Sequence, residues 1–141
     1  SCSKNGLETF NQLRGNIYMN EINEDPEFLE AYRESDQRIK NVIEYLQKNP
    51  SCKILLKDLS GIALLSPCHL QRIFKKAVGL TPKEYLLRLR VKMTMQLLKQ
   101  GLTLSEIVSL TGFTDKSHLT RTFKQITGLT PKSYAEQMND Q

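Results

Sequence analysis

Residues 69–85 read HLQRIFKKAVGLTPKEY, and residues 118–134 read HLTRTFKQITGLTPKSY. At a constant offset of 49 residues, 11 of these 17 positions are identical. His69 pairs with His118, Arg72 with Arg121, and Phe74-Lys75 with Phe123-Lys124; the run from Gly79 to Lys83 pairs with that from Gly128 to Lys132. Upstream the offset slips to 48, and Leu56, Leu59 and Leu65 face Leu104, Ile107 and Phe113. Two copies of a unit about 35 residues long are too few for a solenoid, so the chain carries one duplicated unit.

Each copy reads as helix, tight turn, helix. In the first, Leu55/Leu56, Leu59 and Ile62/Ala63 recur at helical spacing. Leu64-Leu65-Ser66-Pro67 breaks that period, with Pro67 suited to a first helical turn. Leu70, Ile73, Phe74 and Ala77 form the apolar stripe of the second helix, and Gly79 fits a left-handed stop. In the second copy, Thr103-Leu-Ser-Glu106 is a capping box that opens a helix with Ile107, Val108 and Thr111. Gly112–Asp115 makes the turn, and the next helix buries Leu119, Phe123 and Ile126 before Gly128.

Thr81-Pro82 and Thr130-Pro131 each supply an N-cap followed by proline at the first helical position. The helix opened by Thr81, about 82–99, has Leu86, Leu89, Met93 and Leu97 on one side and Leu87, Val91 and Leu98 on another. Burial on two sides is what a rod joining two packed lobes requires; a central helix of one compact bundle is the alternative. Ahead of the repeat, Ser35 or Asp36 caps a helix carrying Ile39, Val42, Ile43 and Leu46, ended by Asn49-Pro50. Residues 26–34 also favour helix, and residues 1–25 show no clean period.

The 141 residues suffice for one domain with its own core, and 39% hydrophobic with 25% charged residues is a soluble globular composition. No apolar run approaches the roughly 20 residues of a membrane span, and the first 20 residues lack a signal-peptide core. The missing initiator Met points to a processed chain or an excised fragment. Cys2, Cys52 and Cys68 have irregular spacing, which favours reduced thiols and a cytoplasmic location over a disulfide scaffold, with Cys2 an exposed terminal thiol. His69 and His118 each stand alone, so neither a metal site nor a cofactor is expected. No nucleophile triad, Walker loop, GxGxxG or HExxH is present, so an enzyme is not expected. The acidic residues of the basic part are scattered, against a recombinase fragment.

Charge is unevenly placed. Residues 1–50 hold six Lys/Arg against nine Asp/Glu, net −3, and residues 51–141 hold fourteen against six, net +8. The basic part suits a polyanion. In the first copy Cys68, Gln71, Arg72 and Lys75 follow helical spacing on the polar side, flanked by His69 and Lys76. In the second, Lys116, Ser117, Thr120, Arg121 and Lys124 do the same, with His118 between them. Arg suits guanine and Gln suits adenine in a major groove wide enough for a helix; Lys, Ser and Thr suit phosphates or bases. An ordinary solvated face would explain one such row. The recurrence of Arg, Lys and His at matched positions beside matched turns favours a reading surface. A helical protein-interaction module with incidental basicity is the competing class.

With these residues in place, the layout resembles the AraC/XylS family of bacterial transcription regulators. The carrying segments are Leu65-Ser-Pro-Cys-His-Leu-Gln-Arg72-Ile-Phe-Lys75 with Gly79-Leu-Thr-Pro82, and Gly112-Phe-Thr-Asp115 through Lys124 with Gly128 to Tyr134. The resemblance covers about residues 36–137. Ala135 stands where the family usually has Arg, and Gly61 where a better helix former is usual.

The resemblance implies an all-α DNA-binding domain, 35–138, with two helix-turn-helix lobes (35–81 and 103–138) joined by a long helix (82–99). Residues 1–34 would be an N-terminal extension or interdomain linker. It implies base readout by Cys68, Gln71 and Arg72, and by Lys116, Ser117, His118, Thr120 and Arg121, with Lys75, Lys76 and Lys124 at the DNA backbone. The two reading helices would enter successive major grooves of double-stranded DNA, roughly 34 Å apart, with bending at a cost of about 1–6 kcal/mol if they sit closer. The expected whole is a transcription activator whose sensor domain for a small-molecule effector lies outside this chain and whose protein partner is RNA polymerase. A stand-alone regulator is the alternative.

Overall fold

The computed structural model describes residues 35–139 together with Pro26, Glu30, Tyr32 and Arg33. Seven helices follow from residue 37 onward: α1 (Gln37–Lys48), α2 (Leu56–Ala63), α3 (Pro67–Val78), α4 (Pro82–Lys99), α5 (Leu104–Thr111), α6 (Lys116–Thr127) and α7 (Pro131–Asn139). Their starts are set by local chemistry. The Asp36 carboxylate accepts the Arg38 backbone N–H at 2.8 Å and pairs with the Arg38 guanidinium, which holds its carboxyl down at about 2. Thr81 and Glu84 cap α4 reciprocally, with both bonds at 3.2 Å; Thr103 and Glu106 do the same for α5, at 3.1 and 3.3 Å. The Thr130 hydroxyl accepts the Ser133 N–H at 3.1 Å ahead of Pro131.

Two separate apolar cores form around the shared α4. The first gathers Ile39, Val42, Ile43 and Leu46 of α1, Leu59 and Ala63 of α2, Leu70 and Phe74 of α3, and Tyr85, Leu86 and Leu89 of α4. The second gathers Val91, Met93, Leu97 and Leu98 of α4, Ile107, Phe113, Leu119, Phe123 and Tyr134. The duplication is visible inside them. Phe74 meets Tyr85 edge-on at 6.0 Å, and Phe123 meets Tyr134 edge-on at 5.6 Å. The two tyrosines that follow Thr-Pro are thus packing residues.

The division of α4 differs from the two-sided pattern expected. Met93 and Leu97, placed by periodicity with Leu86 and Leu89, belong to the second core. An 18-residue helix rises about 27 Å, so one lobe cannot reach both ends, and position along the axis decides the partner. Within α3, Leu70 and Phe74 are fully buried, whereas Ile73 and Ala77 are only partly so; Ile126 of α6 is likewise partly buried.

Most of the expected helix over 26–34 lies outside the described residues, and its described members are helical. The Tyr32 hydroxyl donates to Glu44 of α1 at 3.0 Å, and the Lys40 ammonium lies 5.5 Å from the Tyr32 ring centroid. Cys52 corrects the expectation of reduced thiols. It is buried and disulfide-bonded, and Cys68 is the free, exposed cysteine among those described. Chain spacing carries no information on which sulfur the fold turns inward. The expected terminal thiol of Cys2 lies outside the described residues.

The matched turns have diverged. Both helix-turn-helix units need a left-handed residue after their first helix, and Gly112 supplies it at φ 85° in the second. In the first the residue is Leu64, at φ 57° and 87% exposed. Ser60, which gives its hydroxyl to the Leu65 carbonyl, braces that turn. Among the described residues no helix is long and apolar enough to cross a membrane.

Candidate nucleic-acid interface

The second helix of each unit is pinned from below and open above. Ser66 caps α3 through the His69 N–H at 3.3 Å, with Pro67 at the first position; Asp115 caps α6 through the His118 N–H at 2.7 Å. Leu70 and Phe74 anchor α3 in the first core, and Leu119 and Phe123 anchor α6 in the second. The anchors fix which side faces out. On α3 that side presents Cys68, His69, Gln71, Arg72, Lys75 and Lys76, all exposed. On α6, Lys116, Ser117, Arg121 and Lys124 are exposed, and Thr120 is half-buried beside them. Neither helix contains a carboxylate between its caps. Arg121 folds back so that its Nε donates to the Ser117 carbonyl at 3.3 Å. Cation-rich faces of this kind attract polyanions and lose that attraction as salt is added.

The two histidines, matched in the repeat, are placed differently. His69 stands exposed on α3. His118 is half-buried, its ring edge-on to Phe113 at 5.2 Å, and its Nδ1 is buried without a hydrogen-bond partner. Phe113, in the turn ahead of α6, gives His118 an aromatic neighbour where the first copy has Leu65. Burial pushes the His118 imidazole below its ordinary value, helped by the Arg121 and Arg90 charges, with Lys83 adding and Asp115 opposing. The fold thus prefers neutral His118. That preference is present above the unfolded value and is lost as pH falls through the lowered folded one. The urea midpoint is therefore expected to drop between about pH 7.5 and pH 5, and His118→Gln should shrink that drop. An unchanged drop in the variant would assign the pH dependence to other groups.

One residue of consequence escaped sequence reading. Arg90, in the middle of α4, is 7% exposed. Its Nε donates to the Pro50 carbonyl at 2.9 Å and its Nη2 to the Cys52 carbonyl at 2.8 Å. Its guanidinium carbon lies 5.9 Å from the Phe113 ring centroid. Burial lowers its pKa to about 10, which leaves it cationic at neutral pH. Nothing in the sequence set it apart from the other cations of α4, which are Lys83, Arg88, Lys92 and Lys99. Among the described residues no three His, Cys, Asp or Glu side chains converge as a metal site.

Two helix-turn-helix lobes on a common helix, each presenting a cationic second helix, define a DNA-binding class. A family model described as a helix-turn-helix domain matches residues 59–137. The chain belongs to the AraC/XylS-type helix-turn-helix family, as the DNA-binding domain of a transcription regulator. It is 38% identical over 93 residues to the uncharacterized HTH-type transcriptional regulator YbfI of Bacillus subtilis, covering 66% of this chain and 34% of that protein. It is 31% identical over 81 residues to the lactose operon transcription activator of Staphylococcus xylosus, covering 57% and 29%. The chain thus spans about a third of the length of these relatives. Among solved structures, the C-terminal domain of AraT, a response regulator from Geobacillus stearothermophilus, superposes with a TM-score of 0.69 at 23% identity, covering 74% of this chain and 88% of that one. The C-terminal domain of the two-component response regulator yesN from Fusobacterium nucleatum does so at 0.66 and 27%, covering 71% and 99%.

Proposed function

We propose that the chain binds double-stranded DNA with α3 and α6 in successive major grooves, as the reading part of a larger, effector-responsive transcription activator. The observation that carries this is the pair of matched, carboxylate-free, outward helix faces, each fixed by its own core. Cys68, Gln71 and Arg72 read bases through lobe one, and Lys116, Ser117, Thr120 and Arg121 through lobe two. Lys75, Lys76 and Lys124 meet phosphates, and His118 joins the readers from a ring that also props the first turn of α6 on Phe113. The small share of each relative that the chain covers supports a sensor portion elsewhere in the protein, taking a small-molecule effector. The Staphylococcus relative is a transcription activator, which supports activation here; the protein partner of this proposed activity is RNA polymerase.

Selection of bound duplexes from a random pool, followed by footprinting, tests the reading. Two protected, non-palindromic half-sites about one helical turn apart are expected. A single protected groove would overturn it. Lys75→Ala is expected to weaken binding across all duplexes and to reduce the slope of log affinity against log salt by about one. A slope equal to wild type would take Lys75 off the phosphates.

A further inference from the structure

The cationic faces read DNA only if something holds them at the right angle to each other. A single helix through both lobes fixes their separation along its axis, but it leaves each lobe attached at one end. A contact off that axis is needed to fix their relative rotation.

Such a contact is present. Arg90 donates to the carbonyls of Pro50 and Cys52, in the segment that leaves α1 on the lobe-one side. The same guanidinium rests against Phe113 in the turn of lobe two. Beside it, Gly112 lies so close to that segment that a Cβ would sit 2.4 Å from the Ser51 carbonyl oxygen. Phe113 then meets His118 in the first turn of α6. A continuous chain of contacts thus joins the end of α1 to the start of a reading helix. Neither Arg90 nor Gly112 belongs to either apolar core. The planar guanidinium suits the task, because it holds two carbonyls at fixed positions and offers its face to a ring.

We propose that Arg90, with Gly112 and Phe113, is a positioning latch that sets the rotation of α6 relative to α3 and thereby the base-pair spacing the protein accepts between half-sites. The inference rests on the two-groove reading. Two modules on a stiff connector gain greatly from each other at the matching spacing and lose that gain when geometry forbids joint engagement; a loosened connector gains less and loses less.

The test uses the whole chain and four duplexes: the selected site, that site with two base pairs inserted between its halves, and each of the two halves alone. For wild type the insertion is expected to weaken binding about a hundredfold. For Arg90→Met it should weaken binding by less than about tenfold, with affinity for single halves unchanged. Arg90→Lys, able to hold one carbonyl, should fall between. Gly112→Ala pushes on the same junction from the other side and serves if Arg90→Met fails to fold by circular dichroism; it should show the same reduced penalty. Folded variants with the wild-type penalty would overturn the latch. So would a wild type that protects both halves yet ignores the insertion. Protection of one half only would instead overturn the two-groove reading.

Discussion

Phe123→Ala is expected to cost about 3–5 kcal/mol, the usual range for emptying a fully enclosed aromatic site. Phe123 has no exposed surface, and Leu119, Ile107, Met93 and Leu97 share its core. Its edge contact with Tyr134 is lost as well. Against a typical domain stability of about 5–15 kcal/mol, such a loss threatens the lobe that holds α6. Because the cores are separate clusters, the damage should remain local. Hydrogen exchange should show protection falling across α5 to α7 while α1 to α3 keep theirs. Phe74→Ala, its repeat counterpart, should produce the mirror image, with amides of α1 to α3 opening first. Equal loss in both lobes from either variant would mean that α4 makes them one cooperative unit.

The second large effect is on recognition rather than folding. Arg72→Ala and Arg121→Ala are each expected to lose about 1–3 kcal/mol of binding to the selected duplex and to relax the preference at one base step. Both side chains are exposed and neither is part of a core, so the urea midpoint should hold. Arg121 has a bond to the Ser117 carbonyl to give up on engaging a base. A net gain of discrimination in spite of that exchange requires a bidentate contact. Competition assays against single-base variants of the duplex separate the outcomes. A uniform loss across all variants would make these arginines phosphate contacts.

Much of this fold is written locally. The reciprocal caps at Thr81–Glu84 and Thr103–Glu106 involve residues three apart, so their chemistry is visible in the chain, and helix starts follow from it. The stops at Gly79 and Gly128 are equally local. The outward rows on α3 and α6 follow from the apolar stripes opposite them. What escaped reading depends on distance. Arg90 finds its acceptors 38 and 40 residues back, and those acceptors are main-chain carbonyls that leave no mark in the side-chain sequence. The inward turn of His118 required knowing that Phe113 sits beneath it. The assignment of Met93 and Leu97 failed because helical period reports direction around an axis and is silent about which neighbour lies at which height. The burial of Cys52 was hidden in the same way.

The unlike turns at Leu64 and Gly112 give the molecule a head and a tail. Gly112 is wedged against its neighbour's backbone, whereas Leu64 stands in water in a left-handed conformation that costs an L-residue about 1–2 kcal/mol. A protein built this way has no dyad to make it indifferent to which way it lies. For one copy engaging DNA through both lobes, a binding site transposed back to front is a different site, so each bound molecule points along the duplex like an arrow.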